Sequence, residues 1–124
     1  MSETIYELAG ARVMELVGEG VPLRTGRDAT DLIGDARGRE ASVVAVPVAR
    51  MHEDFFRLRT GVAGEFTQKF VTYGVRLVIV GDIERYLAES EALRDFVFEC
   101  NSRDEIWFVR DREEMHERIR TRVR

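Results

Sequence analysis

Two short runs constrain this chain more than anything else in it: Ser42–Val48 reads SVVAVPV and Val75–Gly81 reads VRLVIVG. Each is an almost unbroken series of β-branched and aliphatic residues, and neither shows the alternation of a strand that faces water on one side. Strands covered on both faces in a parallel sheet have this pattern. The segment between them has another period: Val62, Phe66, Phe70 and Tyr73 recur at helical spacing, with Glu65, Gln68, Lys69 and Thr72 on the opposite face and Gly74 as a stop. A helix joining two buried strands is a parallel crossover, so the expected class is α/β.

The same alternation runs along the rest of the chain. TIYELAG and ARVMELV are β-prone runs that meet at Gly10 and predict an antiparallel hairpin. After a loop containing Gly18, Gly20 and Pro22, Thr25 and Asp28 fit a capping box, which predicts a helix to about Arg37 stopped by Gly38. SEALRDFVFECN carries a second helical stripe of Leu93, Phe96, Val97 and Cys100; EIWFV is a last strand, and REEMHERIR a last helix with Met115 and Ile119 inward. The expected string is β-β-α-β-α-β-α-β-α, a mixed sheet of about five strands, antiparallel at the hairpin and mainly parallel beyond it. With no linker or low-complexity stretch, residues 1–124 read as one domain.

Composition narrows the function classes. At 44% hydrophobic and 34% charged residues the chain is globular rather than disordered. No apolar run approaches the ~18 residues of a membrane span, and MSETIYELAG lacks the charged and apolar regions of a signal peptide. A cytoplasmic protein is expected, and the lone Cys100, unable to form an internal disulfide, agrees with that. A net charge of -4 argues against a general nucleic-acid binder. The exception to examine is RIRTRVR, where Arg118, Arg120, Arg122 and Arg124 form either a solvated helix end facing the negative end of the dipole or a phosphate-binding tail.

Catalytic and metal signatures are incomplete. His52 and His116 are far apart and belong to no H-E-x-x-H, and Cys100 has no C-x-x-C partner, so neither metal nor cofactor is expected. GEGVPLRTG lacks the third glycine of a dinucleotide loop. Thr60 is conceivable as a nucleophile with His52 or Glu65, but no G-x-S-x-G elbow accompanies it, and Glu65 has a plainer role as an i, i+4 partner of Lys69. In MHEDFFRLRTG the adjacent Phe55 and Phe56 cannot share one face of a regular element; one is expected to anchor the loop and the other to cover a neighbouring strand or lie on the surface.

LRTGVAGEF, Leu58–Phe66, opens the amphipathic helix with Gly61 and Gly64, although an interior glycine costs roughly 1 kcal/mol against alanine. Close packing, a ligand or a partner would account for them. LRTG also occurs at Leu23–Gly26, where it leads into an ordinary capped helix start.

The run EDFFRLRTGVAGEFTQKFVTYGVRLVIVGD, with LRDFVFECN and IWFV after it, resembles a bacterial family, domain of unknown function 4180, over roughly Val43 to Val109. More distantly, the order of elements is similar to STAS domains, the fold of anti-sigma-factor antagonists. In those a Ser or Thr before a glycine at the start of the helix after the middle strand is phosphorylated. That resemblance places Thr60 at the phosphorylatable position and Gly61 at the glycine, while Leu58 and Arg59 replace the family's Asp and Ser.

The leading expectation is a non-enzymatic, STAS-like regulatory module that binds another protein. Its surface would comprise His52, Asp54, Phe55, Arg57, Arg59, Gly61, Gly64 and Glu65, with Thr60 as an N-cap or switch. The alternative is a small-molecule or anion-binding domain, even a minor enzyme, in which Thr60, Gly61 and Gly64 offer backbone N–H groups and Arg57, Arg59 or Glu65 fix the ligand. Self-association through an edge strand or the last helix is a third.

Overall fold

The computed structural model describes residues 3–122. Its strands, β1 (Glu3–Leu8), β2 (Ala11–Leu16), β3 (Val43–Pro47), β4 (Arg76–Val80) and β5 (Ile106–Val109), form one sheet in the order of the sequence. β1 and β2 are antiparallel, and the other three pairings are parallel. The hairpin closes through Ala9 and Gly10, both at positive φ (52° and 86°), the conformation that lets a two-residue turn match the twist of its strands.

Side-chain alternation divides the core into two layers. Met14, Val44, Leu77 and Ile106 stand in register across four strands and pack under helices α1 (Gly26–Gly38), α2 (Val62–Tyr73) and α4 (Glu91–Asn101). The neighbouring row, Glu15, Ala45, Val78 and Trp107, faces α5 (Arg112–Arg122), which buries Met115 and Ile119 on the opposite side of the sheet. Three helices on one face follow from a strand order that advances in one direction with crossovers of one hand. Burial in both layers explains why β3, and β4 after its first residue Arg76, are apolar: Val43 to Val46 and Leu77 to Val78 are fully buried.

The chain therefore has the expected α/β architecture, with one more helix than the pattern predicts. Between β4 and α4 lies α3 (Glu84–Glu89), six residues that are too short to display a helical stripe. The outer edge of β5 is closed by a side chain: Asn101 of α4 donates to the Phe108 carbonyl (3.2 Å) and accepts from the Phe108 N–H (2.7 Å). Among the described residues no helix is long and apolar enough to cross a membrane. Arg124 lies outside the described residues.

Candidate functional site

Pro47 ends β3, and the chain then makes three short 3₁₀ turns, Val48–Arg50, Glu53–Phe56 and Leu58–Thr60, before α2. Two adjacent phenylalanines hold this loop down. The tight turn sends both rings inward. Phe55 is fully buried, edge-on to Phe56 (5.1 Å between centroids) and Phe66 (5.8 Å). Phe56 is 3% exposed and lies flat against Tyr86 of α3, 4.5 Å away with an 11° interplanar angle. The expectation of a surface-facing Phe55 is thus corrected: its ring anchors the loop, as a fully apolar side chain beside three other aromatics must.

The remaining residues of the segment form its outer side. His52 Nδ1 accepts from the Asp54 N–H (3.0 Å), and the Asp54 carboxylate stands 3.3 Å from Arg24 Nε. Arg57 pairs with Glu53 at 3.1 Å, and Arg59 is exposed. The loop also docks on the earlier one, because Leu23 N–H donates to the Arg50 carbonyl and His52 N–H to the Leu23 carbonyl, each at 2.9 Å.

Thr60 is not the N-cap of α2; Gly61 occupies that position at φ +80°, a left-handed conformation that side chains resist. The Thr60 hydroxyl instead shares its proton between the carbonyls of Asp54 (2.8 Å) and Arg57 (2.7 Å), and weakly accepts from Val62 N–H (3.3 Å). Two of the three expected backbone donors are already engaged: Thr60 N–H and Gly61 N–H bond to the carbonyls of Arg57 and Leu58. A Cβ added at Gly61 or Gly64 meets nothing within 4 Å, so no strand presses on either glycine and both face outward. Among the described ion pairs Glu65 does not join Lys69. Its carboxylate lies against Gly26 at the start of α1, 2.7 Å from where a Cβ would stand.

Tyr86 and Arg85 are the functional-looking residues that the sequence did not single out. The Arg85 guanidinium sits 4.7 Å over the Tyr86 ring and donates to its hydroxyl at 2.7 Å, extending the stack that begins at Phe56. A cleft of about 430 Å³ beside this stack is lined by Phe56–Arg59, Glu89, Ser90 and Ala92, and another of about 530 Å³ runs past His52, Arg85 and Tyr86. These lie at the carboxyl ends of β3 and β4. A helix of six residues gave no periodic signal for Tyr86, and its partner Phe56 is thirty residues away.

Other chemistry-bearing residues have structural employment. Tyr6 donates to Glu15 (2.8 Å) and meets His116 Nε2 at 2.9 Å, while Arg112 bonds both Glu15 oxygens (3.0 and 2.9 Å), tying α5 to the hairpin. Burial, then the Glu15 carboxylate, raises the Tyr6 phenol; burial, then Arg112, lowers His116. Burial pushes the Cys100 thiol up to about 11, which favours the protonated thiol at neutral pH. Among the described residues no group of three His, Cys, Asp or Glu side chains is placed to hold a metal ion.

Residues 8–119 match the model of the family described as Domain of unknown function (DUF4180). The chain belongs to that family. No curated protein and no solved structure matches it. The DUF4180 match runs from the end of β1 into the last turns of α5, so it takes in both LRTG segments, Tyr86 and Trp107.

Proposed function

We propose that this DUF4180 chain is a non-enzymatic regulatory module that binds another protein through the 52–61 loop and α3. The observation that carries this reading is the Arg85–Tyr86–Phe56 stack with Arg57 and Arg59 exposed beside it. Arginine and tyrosine dominate binding hot spots. A loop already pinned by two buried phenylalanines and the Thr60 hydroxyl loses little freedom on association. The loop and helix that follow β3 lie where the STAS resemblance puts a switch, and this is the ground for assigning the loop a regulatory role.

Modification of Thr60 would act by opening the loop. The esterified Thr60 oxygen has no proton to donate, and the phosphate would set oxygens carrying about -1.5 to -2 charge against two carbonyls. A tagged chain incubated with native lysate is expected to retain one stoichiometric partner. Tyr86→Ala, Arg59→Glu and Thr60→Glu should lose it, while Thr60→Ser and Arg120→Glu keep it. Recovery of no such partner, or of one indifferent to the surface variants, sinks the reading.

A second reading, a small-molecule binding domain, is favoured by a different place. Because α3 and α5 leave β4 and β5 toward opposite faces, the carboxyl ends of these strands part around a cleft of about 550 Å³. Crevices of this origin are where open α/β sheets take ligands. Its floor is Ile83, Leu87, Val97 and Phe108, and its rim includes Asp82, Glu84 and Asp111. A small-molecule screen by thermal unfolding checks it: a ligand at about 100 times its Kd adds ~2.7 kcal/mol of stability, so an unmoved transition across the screen counts against this reading.

A further inference from the structure

The arginine-rich end of the chain is divided by the fold. Arg120 turns aside toward Glu117 (3.9 Å), whereas Arg118 and Arg122, one turn apart, lie over Trp107 at 4.5 and 5.9 Å from its ring centroid. Arg76, the first residue of β4, reaches the same ring at 4.7 Å. Trp107 is completely buried beneath them and donates its indole N–H to the Arg103 carbonyl at 2.8 Å.

One aromatic face explains one cation, not three. The dipole of α5 explains cations in its last turn, but not the arrival of Arg76 from a strand. Among the described ion pairs, only Asp104 contacts the cluster, at 2.8 Å from Arg122. Burial, together with the Arg122 charge, holds the guanidinium pKa of Arg118 below its ordinary value. Arg76 is shifted the same way, by burial first, with Asp104 opposing and Arg122 adding to the shift. Each guanidinium has five N–H donors. The described bonds run from Arg118 to the Asn101 carbonyl, from Arg76 to the Asp104 carbonyl and from Arg122 to the Asp104 carboxylate. Donors therefore remain on three crowded like charges, and planar guanidinium forks match the oxygens of a phosphate group.

We propose that Arg76, Arg118 and Arg122, gathered on Trp107 at the amino-terminal edge of the sheet, form a binding site for a phosphate-class oxyanion. The site lies at the opposite end of the strands from the 52–61 loop, so it operates independently of that surface. Either free phosphate or the phosphoryl group of a small molecule meets its chemistry.

Trp107 is the only tryptophan in the chain, so indole emission excited at the red edge of its absorption reads this site alone. The full chain is titrated with inorganic phosphate and, separately, with methyl phosphate, at ionic strength held constant with sodium chloride. A saturable change is expected from at least one of them and none from chloride. Tighter binding of methyl phosphate points to a phosphorylated small molecule, and tighter binding of phosphate to the free ion. Arg122→Ala, in the exposed last turn, should weaken binding about tenfold, as expected for loss of one charge-assisted hydrogen bond. Arg122→Lys should weaken it less, and Arg120→Ala, with the same change in net charge, should leave it as it was. The proposal is overturned by an unsaturable response or by an equal response to chloride. Equal weakening by Arg120→Ala, or saturation by a long polyanion when both small phosphates fail, overturns it as well.

Discussion

The tetrapeptide Leu-Arg-Thr-Gly occurs at Leu23–Gly26 and again at Leu58–Gly61, and the two copies adopt different structures. In the first, Thr25 is extended (φ -99°, ψ 165°) and caps α1, accepting from Asp28 N–H at 3.0 Å while the Asp28 carboxylate accepts from Thr25 N–H at 3.0 Å. In the second, Thr60 sits within a 3₁₀ turn, its hydroxyl faces backward to two carbonyls, and Gly61 takes the cap position. The residue three places on makes the difference: Asp28 is available to complete the box, whereas Ala63 is fully buried and leaves no room for an acid. The glycines differ too. Gly61 is required by its φ, whereas Gly26 is at ordinary φ and has the Glu65 carboxylate resting on it.

The largest expected effect tests what holds the second copy in place. Phe55→Ala should cost about 3–5 kcal/mol in urea unfolding, the range for removing a buried aromatic ring. A loss below about 1 kcal/mol would mean that the loop is not hung on this ring. Next comes a direct contrast between the glycines. Gly61→Ala should cost about 1–2 kcal/mol because alanine resists the left-handed region. Gly26→Ala should cost less, since the obstacle is the free end of an exposed, flexible Glu65 that can swing aside. Equal losses would erase the distinction between a conformational and a steric glycine.

The same contrast marks where the sequence was readable. β3, β4 and the helix between them were legible because burial on both faces and helical period leave a compositional trace. The α1 cap was legible because Thr25 and Asp28 are three residues apart. The local pattern was silent on the second copy's loop, whose conformation depends on contacts remote in sequence: Phe55 against Phe108, Phe56 against Tyr86, Leu23 beside Met51. For the same reason the local sequence points to a cap at Thr60. Nothing within its own turn says that two carbonyls, one of them six residues back, claim its hydroxyl.

A smaller effect separates the copies by pH. Thr25→Ala should lose about 1 kcal/mol, the usual value of an N-cap. Burial raises the Asp28 pKa, but hydrogen bonds from the Thr25 and Arg24 N–H groups outweigh it and hold the carboxyl below its ordinary value. A depressed folded-state pKa contributes stability above the unfolded pKa, about 4, and that contribution disappears as pH falls through the folded value. Acid titration of stability should therefore bring the wild type down toward Asp28→Asn below about pH 4. A gap between them that persists to lower pH would mean that the carboxylate is not what completes the cap.

Gly64→Ala is the smallest change and the one with the opposite sign. Gly64 lies inside α2, is exposed, and an added Cβ meets nothing within 4 Å, so neither conformation nor space in the isolated chain requires a glycine there. Alanine should raise stability by about 0.5–1 kcal/mol, read as an upward shift in the thermal midpoint. If the residue is glycine so that a partner's backbone can approach this helix, the stabilised variant will also retain less of the partner captured by wild type. Greater stability with undiminished capture would remove Gly64 from the working surface and confine that surface to the loop and α3. A loss of stability would show that the open face of α2 is not open in solution, and the contrast with the packed glycine at position 26 would fall with it.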